Sequence, residues 1–75
     1  MEYDRKLDAT AMTCPMPIMQ SRRILKEMKV GEILYLIASD ADIETDISAL
    51  VESLGAKILQ SYVENGQYQF YIKKG

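Results

Sequence analysis

Thr13-Cys14-Pro15-Met16-Pro17 is the stretch from which the fold of this 75-residue chain can be worked out. Two prolines within three residues would break the interior of a helix, but the first helical turn accepts proline because its N–H groups have no intrahelical partner. Residues 18–28 then mix apolar and charged side chains as an amphipathic helix does. The sequence therefore predicts a helix here, with Cys14 at or just before its first residue.

Cys14 is the only cysteine of the chain. At a helix N-terminus, free N–H groups and aligned peptide dipoles stabilise a thiolate and make a thiol more acidic. A lone cysteine is more often a small buried hydrophobe. The flanking prolines favour the reactive interpretation, so we predict that Cys14 is the catalytic nucleophile and that Pro15 and Pro17 position it.

The composition is that of an ordinary globular protein. Hydrophobic residues make up 48% of the chain and charged residues 27%, with a net charge of −2. This size predicts a single domain over residues 1–75 with a modest core. A signal peptide and an apolar membrane span are both missing from the pattern, and an unpaired cysteine fits a reducing compartment. We expect a cytoplasmic protein without a membrane partner.

Hydrophobic periodicity predicts the remaining elements. Residues 1–9 alternate loosely, as in a short edge strand, and residues 33–38 form an apolar run typical of a central strand buried on both sides or nearly so. Gly31 and Gly55 are predicted to end the two helices. The second helix presents one apolar face, formed by Ile43, Ile47, Leu50, Val51 and Leu54.

Two alternating strands are predicted over residues 57–63 and 67–73, with Ile58, Gln60 and Tyr62 on one face of the first. Asn65-Gly66 between them is a strong signal for a type I′ hairpin turn. The element order becomes β-α-β-α-β-β. This order predicts an α/β (α+β) two-layer sandwich, with two helices packed on one face of a four-stranded mixed sheet.

The residue types exclude several kinds of catalysis. The chain has no histidine, so a Cys-His hydrolase is excluded, and it has no second cysteine for an intramolecular dithiol cycle. The carboxylates of residues 40–46 suit the start of a helix better than a metal site, and we expect neither a metal nor a cofactor. What remains is chemistry that one exposed thiolate performs alone, such as accepting a sulfur atom and handing it on.

Leu7-Asp8-Ala9 followed by Cys14-Pro15-Met16-Pro17 resembles the signature of the TusA (SirA-like) sulfur-carrier family over essentially the whole chain. The resemblance implies a persulfide on Cys14, taken from a cysteine desulfurase or a rhodanese-like donor and passed to an acceptor protein. Such relays feed tRNA thiolation, cofactor sulfuration or sulfur oxidation. Three positions depart from the family pattern, because Ala11 stands where glycine is common, Ala41 where proline is common and Ala56 where histidine is common.

The sequence also suggests where partners would bind. Basic and flexible apolar side chains on the first helix predict a docking surface for donor and acceptor proteins. Its members are Met16, Met19, Arg22, Arg23 and Lys26. We expect a monomer and no direct nucleic-acid partner.

Two other functions stay open from the residues alone. In one, the protein is a small RNA-binding module whose tyrosines Tyr62, Tyr68 and Tyr71 stack on bases. In the other, it is a regulator that senses oxidants through Cys14.

Overall fold

The computed structural model describes residues 2–13 and 15–75. The predicted order of elements is confirmed. The elements are β1 (Arg5–Ala9), α1 (Met16–Glu27), β2 (Ile33–Ala38), α2 (Ile43–Leu54), β3 (Lys57–Glu64) and β4 (Gln67–Lys73). Neither helix in this described part of the chain is long and apolar enough to cross a membrane.

The four strands form one mixed sheet in the order β1-β2-β4-β3. β1 is an edge strand parallel to β2, and β4 pairs antiparallel with both β2 and β3. The central position predicted for β2 is confirmed. Its burial alternates, with Leu34, Leu36 and Ala38 buried and the residues between them half-buried. The strand is therefore covered fully on one face only, which is less than its continuous apolar run predicted.

The core lies between the helices and one face of the sheet. β2 and β4 contribute alternate residues to it, and each helix contributes one apolar stripe. The residues that are completely inaccessible include Ala9, Leu25, Leu34, Leu36, Ala38, Ile47 and Ile72. This arrangement confirms the predicted two-layer sandwich.

The two helices end in different ways. Gly55 caps α2 in the left-handed conformation, with φ 68°, as predicted. α1 ends earlier than predicted, at Glu27, where the extended residue Met28 turns its side chain into the core. Gly31 has a positive φ of 92°, but it belongs to the following turn, where its N–H donates to the carbonyl of Lys74.

The β3–β4 hairpin turns at Asn65 and Gly66, whose φ values are 53° and 74°. Both are positive, as the predicted type I′ turn requires. A register shift between Ile58 and Gln60 interrupts the β3–β4 pairing. Because of it, Ile58 packs against the core while Gln60 and Tyr62 pair with residues of the other face, so the prediction that these three share a face was wrong.

Candidate functional site

Cys14, the predicted nucleophile, lies outside the described residues. Its chain neighbours Thr13 and Pro15 are both exposed, and α1 begins at Met16 immediately afterwards. Pro17 occupies the first turn of α1 and is buried. The prediction that the two prolines open a helix is confirmed.

The start of α1 is electropositive. The N–H of Met16 donates to the carbonyl of Thr13 at 2.9 Å, and that of Met19 donates to the carbonyl of Pro15 at 3.1 Å. Among the described residues, no side chain caps this end and no acidic residue lies in the first turn. The positive end of the helix dipole is therefore not neutralised there, and it favours a negatively charged group.

Hydrogen bonds among Asp8, Thr10 and Ser39 hold the loop that leads to this helix. The Asp8 carboxylate accepts from the Thr10 N–H at 3.1 Å and from the Thr10 hydroxyl at 2.7 Å. The Ser39 hydroxyl at the end of β2 donates to the carbonyl of Thr10 at 2.9 Å. Sequence reasoning did not assign these residues to the site, although Asp8 and Thr10 have the spacing of an Asx turn.

The rest of the loop also follows from local structure. The Met12 N–H donates to the carbonyl of Ala9 at 3.0 Å, and the Met12 side chain packs against the core. Within residues 2–13 and 15–75, Asn65 is the only residue other than glycine with a positive φ. Ala11 therefore forms this loop without the backbone conformation that would require glycine.

Both hydrogen bonds from Thr10 lower the pKa of Asp8 from its ordinary value of 3.8. They stabilise the folded chain most when Asp8 is charged, so this contribution is complete above the unfolded-state pKa and is lost as the pH falls through the lower, folded-state pKa. We predict that Asp8→Asn reduces the loss of thermal stability on going below about pH 4. Thermal unfolding measured against pH checks this.

Thr10→Val is the control for the Asp8 prediction, because it removes the hydroxyl donor and keeps the backbone N–H. Its pH dependence should lie between those of the wild type and Asp8→Asn. Identical acid dependence in all three proteins would contradict the assignment of these hydrogen bonds.

A groove of about 550 Å³ runs between the two helices, starting beside the helix entrance. Pro15, before α1, and Ile18 and Arg22 of α1 line one side, and Asp46, Ala49 and Leu50 of α2 line the other. The groove is mainly apolar, with the Arg22 guanidinium on one wall and the Asp46 carboxylate on the other. A partner's loop that reaches Pro15 can be held there by both apolar and charged contacts.

All five predicted docking residues are exposed on α1. Helical geometry puts Arg22 and Lys26 on one flank, Met16 and Arg23 on the other, and Met19 between them. Met16 and Met19 are among the exposed large hydrophobic side chains of the protein. The positions form one continuous surface that begins at the helix entrance and runs along α1 to Lys26 in its last turn, and its role in docking stays a prediction.

The tyrosines considered for RNA stacking do not form one surface. Tyr68 packs against the core on the helix side of the sheet. Tyr71 and Tyr62 lie on the opposite face, because Tyr71 stacks on Tyr35 and Tyr62 pairs with Gln69. Tyr62, Tyr68 and Tyr71 therefore do not form one stacking platform.

Comparison with known proteins gives one consistent result. Residues 5–74 match the family model described as Sulfurtransferase TusA. The chain is 34% identical over 73 residues to the sulfur carrier protein TusA of Allochromatium vinosum, covering 97% of this chain and 96% of that protein. It is 35% identical over 75 residues to the putative sulfur carrier protein YrkI of Bacillus subtilis, covering both chains fully.

Solved structures share the fold. The crystal structure of a SirA-like protein from Desulfitobacterium hafniense superposes with a TM-score of 0.85 at 19% identity, covering 96% of this chain and 99% of that one. A solution structure from Helicobacter pylori gives a TM-score of 0.76, also at 19% identity, with 92% and 95% covered. At this identity the likeness concerns the fold alone.

The family match over residues 5–74 and the names of both sequence relatives place this chain in the class of small sulfur-carrier proteins. The chain belongs to the TusA family.

Proposed function

We propose that this protein acts as a single TusA-like domain over residues 1–75, carrying sulfane sulfur as a persulfide on Cys14 and delivering it to an acceptor protein. The observation that carries the proposal is the start of α1 directly after Pro15 in a chain of the TusA family, where no side chain of residues 2–13 and 15–75 caps the helix and no acidic residue lies in the first turn. Cys14 is bonded to Pro15, and the sequence offers no other thiol.

The transfer needs no oxidant or reductant. The Cys14 thiolate attacks the outer sulfur of a persulfide on the donor, the donor's S–S bond breaks, and the donor cysteine leaves as a thiolate. A new S–S bond then joins Cys14 to the transferred sulfur. In the second step an acceptor thiolate attacks that outer sulfur in the same way, and Cys14 is released as a thiolate.

The neighbouring residues have separate roles in this proposal. Pro15 and Pro17 restrict the backbone at the helix entrance: Pro17 lies in the first turn of α1, where the φ of proline suits a helix, and Pro15 precedes the helix with φ −97° and ψ 14°. Met16 and Met19 supply adaptable apolar contact with more than one partner. The three basic residues of α1 favour partners that carry acidic groups around their own cysteine.

The donor in this proposal is a cysteine desulfurase or a rhodanese-like protein, and the protein works in the cytoplasm. The acceptor belongs to a tRNA thiolation, cofactor sulfuration or sulfur-oxidation relay. A cysteine between the exposed residues Thr13 and Pro15 of a small domain suits such successive contacts, because the cysteine of each partner must reach the same atom.

Reversing two charges of the docking surface should slow sulfur transfer. We predict that the double variant Arg22→Glu, Arg23→Glu lowers the rate of sulfur transfer by about tenfold at low salt, because electrostatic steering is lost and acidic partners are repelled. The rate difference should shrink as salt is added. Stopped-time assays of sulfur gain with a donor protein measure both effects.

The matched control for this double variant is Lys57→Glu, Lys73→Glu. It makes the same charge change on the face of the sheet that the helices do not cover. Equal slowing in both double variants would assign the effect to net charge rather than to the docking surface, and an unaltered rate in the α1 variant would refute that surface.

The experiment that tests the proposed function is intact mass spectrometry after incubation with a cysteine desulfurase and cysteine. One added sulfur atom that a reductant removes is expected, and prior alkylation of the thiol should prevent it. A parallel reaction with a rhodanese and thiosulfate covers the second donor class. No sulfur gain from either donor would overturn the proposal.

A further inference from the structure

The face of the sheet opposite the helices carries a cluster of aromatic side chains, which we call the tyrosine face: Tyr3, Tyr35, Tyr62 and Tyr71, with Gln69 beside them. Tyr35 stacks on Tyr71 with ring centroids 4.7 Å apart, and Tyr3 lies 5.2 Å from Tyr35. The Tyr35 hydroxyl donates to the Gln69 side chain. Both described helices pack on the other side of the sheet.

Packing in this cluster is tight for a surface without a covering layer. Tyr71 and Gln69 are each only 8% exposed. Hydrogen bonding with Tyr35 raises the pKa of the Tyr62 hydroxyl, and burial raises that of Tyr71. Tyr3, which is 46% exposed, and the half-buried Tyr35 and Tyr62 present the aromatic surface that protein interfaces favour, and Tyr71 packs beneath them.

Charged residues on the two edge strands flank the tyrosine face in a self-complementary pattern, whereas Lys73 on β4 lies on the same face and has the uncharged Gln67 at the opposite end of its strand. On β3, Lys57 lies at one end and Glu64 at the other. On β1, Lys6 pairs in register with Tyr35, and Asp8 pairs with Ile37. Lys6 and Asp8 therefore lie on opposite sides of the level of Leu36 along the strand. Each edge strand therefore carries a positive and a negative charge displaced in opposite directions along the strand.

A two-fold axis between two copies of the protein brings opposite charges together at both edges of the sheet. Consider an axis between two facing sheets that crosses the strands at the level of Leu36, which pairs with Phe70. It puts Lys57 opposite the partner's Glu64 and Lys6 opposite the partner's Asp8, and each pair occurs twice. An axis parallel to the strands would leave these four residues without opposite charges to face.

We propose that two copies of this protein associate through their tyrosine faces in a two-fold dimer with antiparallel strands. The size of the face limits the affinity. Four strands about 4.8 Å apart, of five, six, eight and seven residues, cover roughly 400 Å² on each copy. The total of roughly 800 Å² is below the ~1,200 Å² of standard stable interfaces, so the dimer is weak and reversible.

This dimer leaves the start of α1 uncovered, because α1 packs on the opposite side of the sheet. Its formation is independent of sulfur chemistry. The dimer departs from the monomer that the sequence predicted. Measuring the average mass against protein concentration distinguishes a dimer from a monomer.

Sedimentation velocity from about 10 µM to about 1 mM tests the dimer, since interfaces of this size give weak dissociation constants. The average mass is expected to rise from 8.5 kDa toward twice that value. Lys57→Glu should weaken association about tenfold, because two attractive pairs become repulsive. Lys26→Glu, on the helix side, is the matched control and should not change association.

The charge-swapped double variant Lys57→Glu, Glu64→Lys tests the direction of the strands. It reverses both partners of each pair, so association should return to within about twofold of the wild type. A protein that stays monomeric at the highest concentration, or a double variant weaker than Lys57→Glu alone, would overturn the proposal. So would a monomer whose tyrosine fluorescence responds to a single-stranded oligouridine, which would identify RNA as the occupant.

Discussion

Cys14→Ser is expected to abolish sulfur gain completely while leaving the fold unchanged. A serine oxygen cannot form the S–S bond that holds the cargo, and its hydroxyl stays protonated at neutral pH. The chain contains no histidine that could activate the hydroxyl as a base. Intact mass after incubation with donor and substrate should therefore show only unmodified protein.

Thermal unfolding provides the control for the Cys14 prediction. Serine and cysteine differ by one atom, so the unfolding temperature should change by no more than a few degrees. Cys14→Ala should give the same result in the mass experiment, which separates the loss of the thiol from any effect of the new hydroxyl. Reductant-labile sulfur on either variant would mean that the cargo is held elsewhere.

Local signals explain why most of the fold could be predicted. The turn at Asn65-Gly66, the proline pair before α1 and the apolar stripe of α2 each depend on a few neighbouring residues. These features fixed β4 at its observed limits, residues 67–73, and α2 with Gly55 as its cap. Because the elements were correct, the short connections left few possible topologies.

Long-range contacts explain the differences. Gly31 has the backbone conformation of a helix cap, yet α1 ends before it because Met28 is drawn into the core. The register shift after Ile58 depends on the pairing of β3 with β4, and alternation within β3 alone does not reveal it. The face of β2 opposite the helices is only half-covered, by tyrosines from three other segments of the chain. The apolar run of β2 therefore suggested more burial than the strand has.

The candidate site shows the same division. The Cys-Pro-x-Pro motif marked the helix entrance because both prolines act within one turn. The contact from Ser39 to Thr10 joins positions 29 residues apart, and no local pattern indicates it. Asp8 belonged to the motif that carried the family resemblance, but its role in holding Thr10 required the hydrogen-bond geometry.

Leu36→Ala is expected to lower the free energy of unfolding by about 3 kcal/mol, because Leu36 is completely buried in the central strand between Leu7 and Phe70. A 75-residue protein has a total stability of roughly 4–11 kcal/mol, so the loss is a large part of it. With a urea dependence of about 1 kcal/mol per molar, the midpoint should fall by about 3 M. Equilibrium urea unfolding measures this.

Ile37→Ala is the matched control, since it removes an apolar side chain from the next position of β2, where the side chain is only half-buried. It should cost about 1 kcal/mol. Equal losses from both variants would contradict the assignment of the core to one face of the sheet.

The loss of stability in Leu36→Ala also affects function, because the loop before Cys14 is tied to the end of β2 through Ser39. A chain unfolded by Leu36→Ala keeps its thiol but loses the helix entrance, so its sulfur gain should fall with the folded fraction as urea is added.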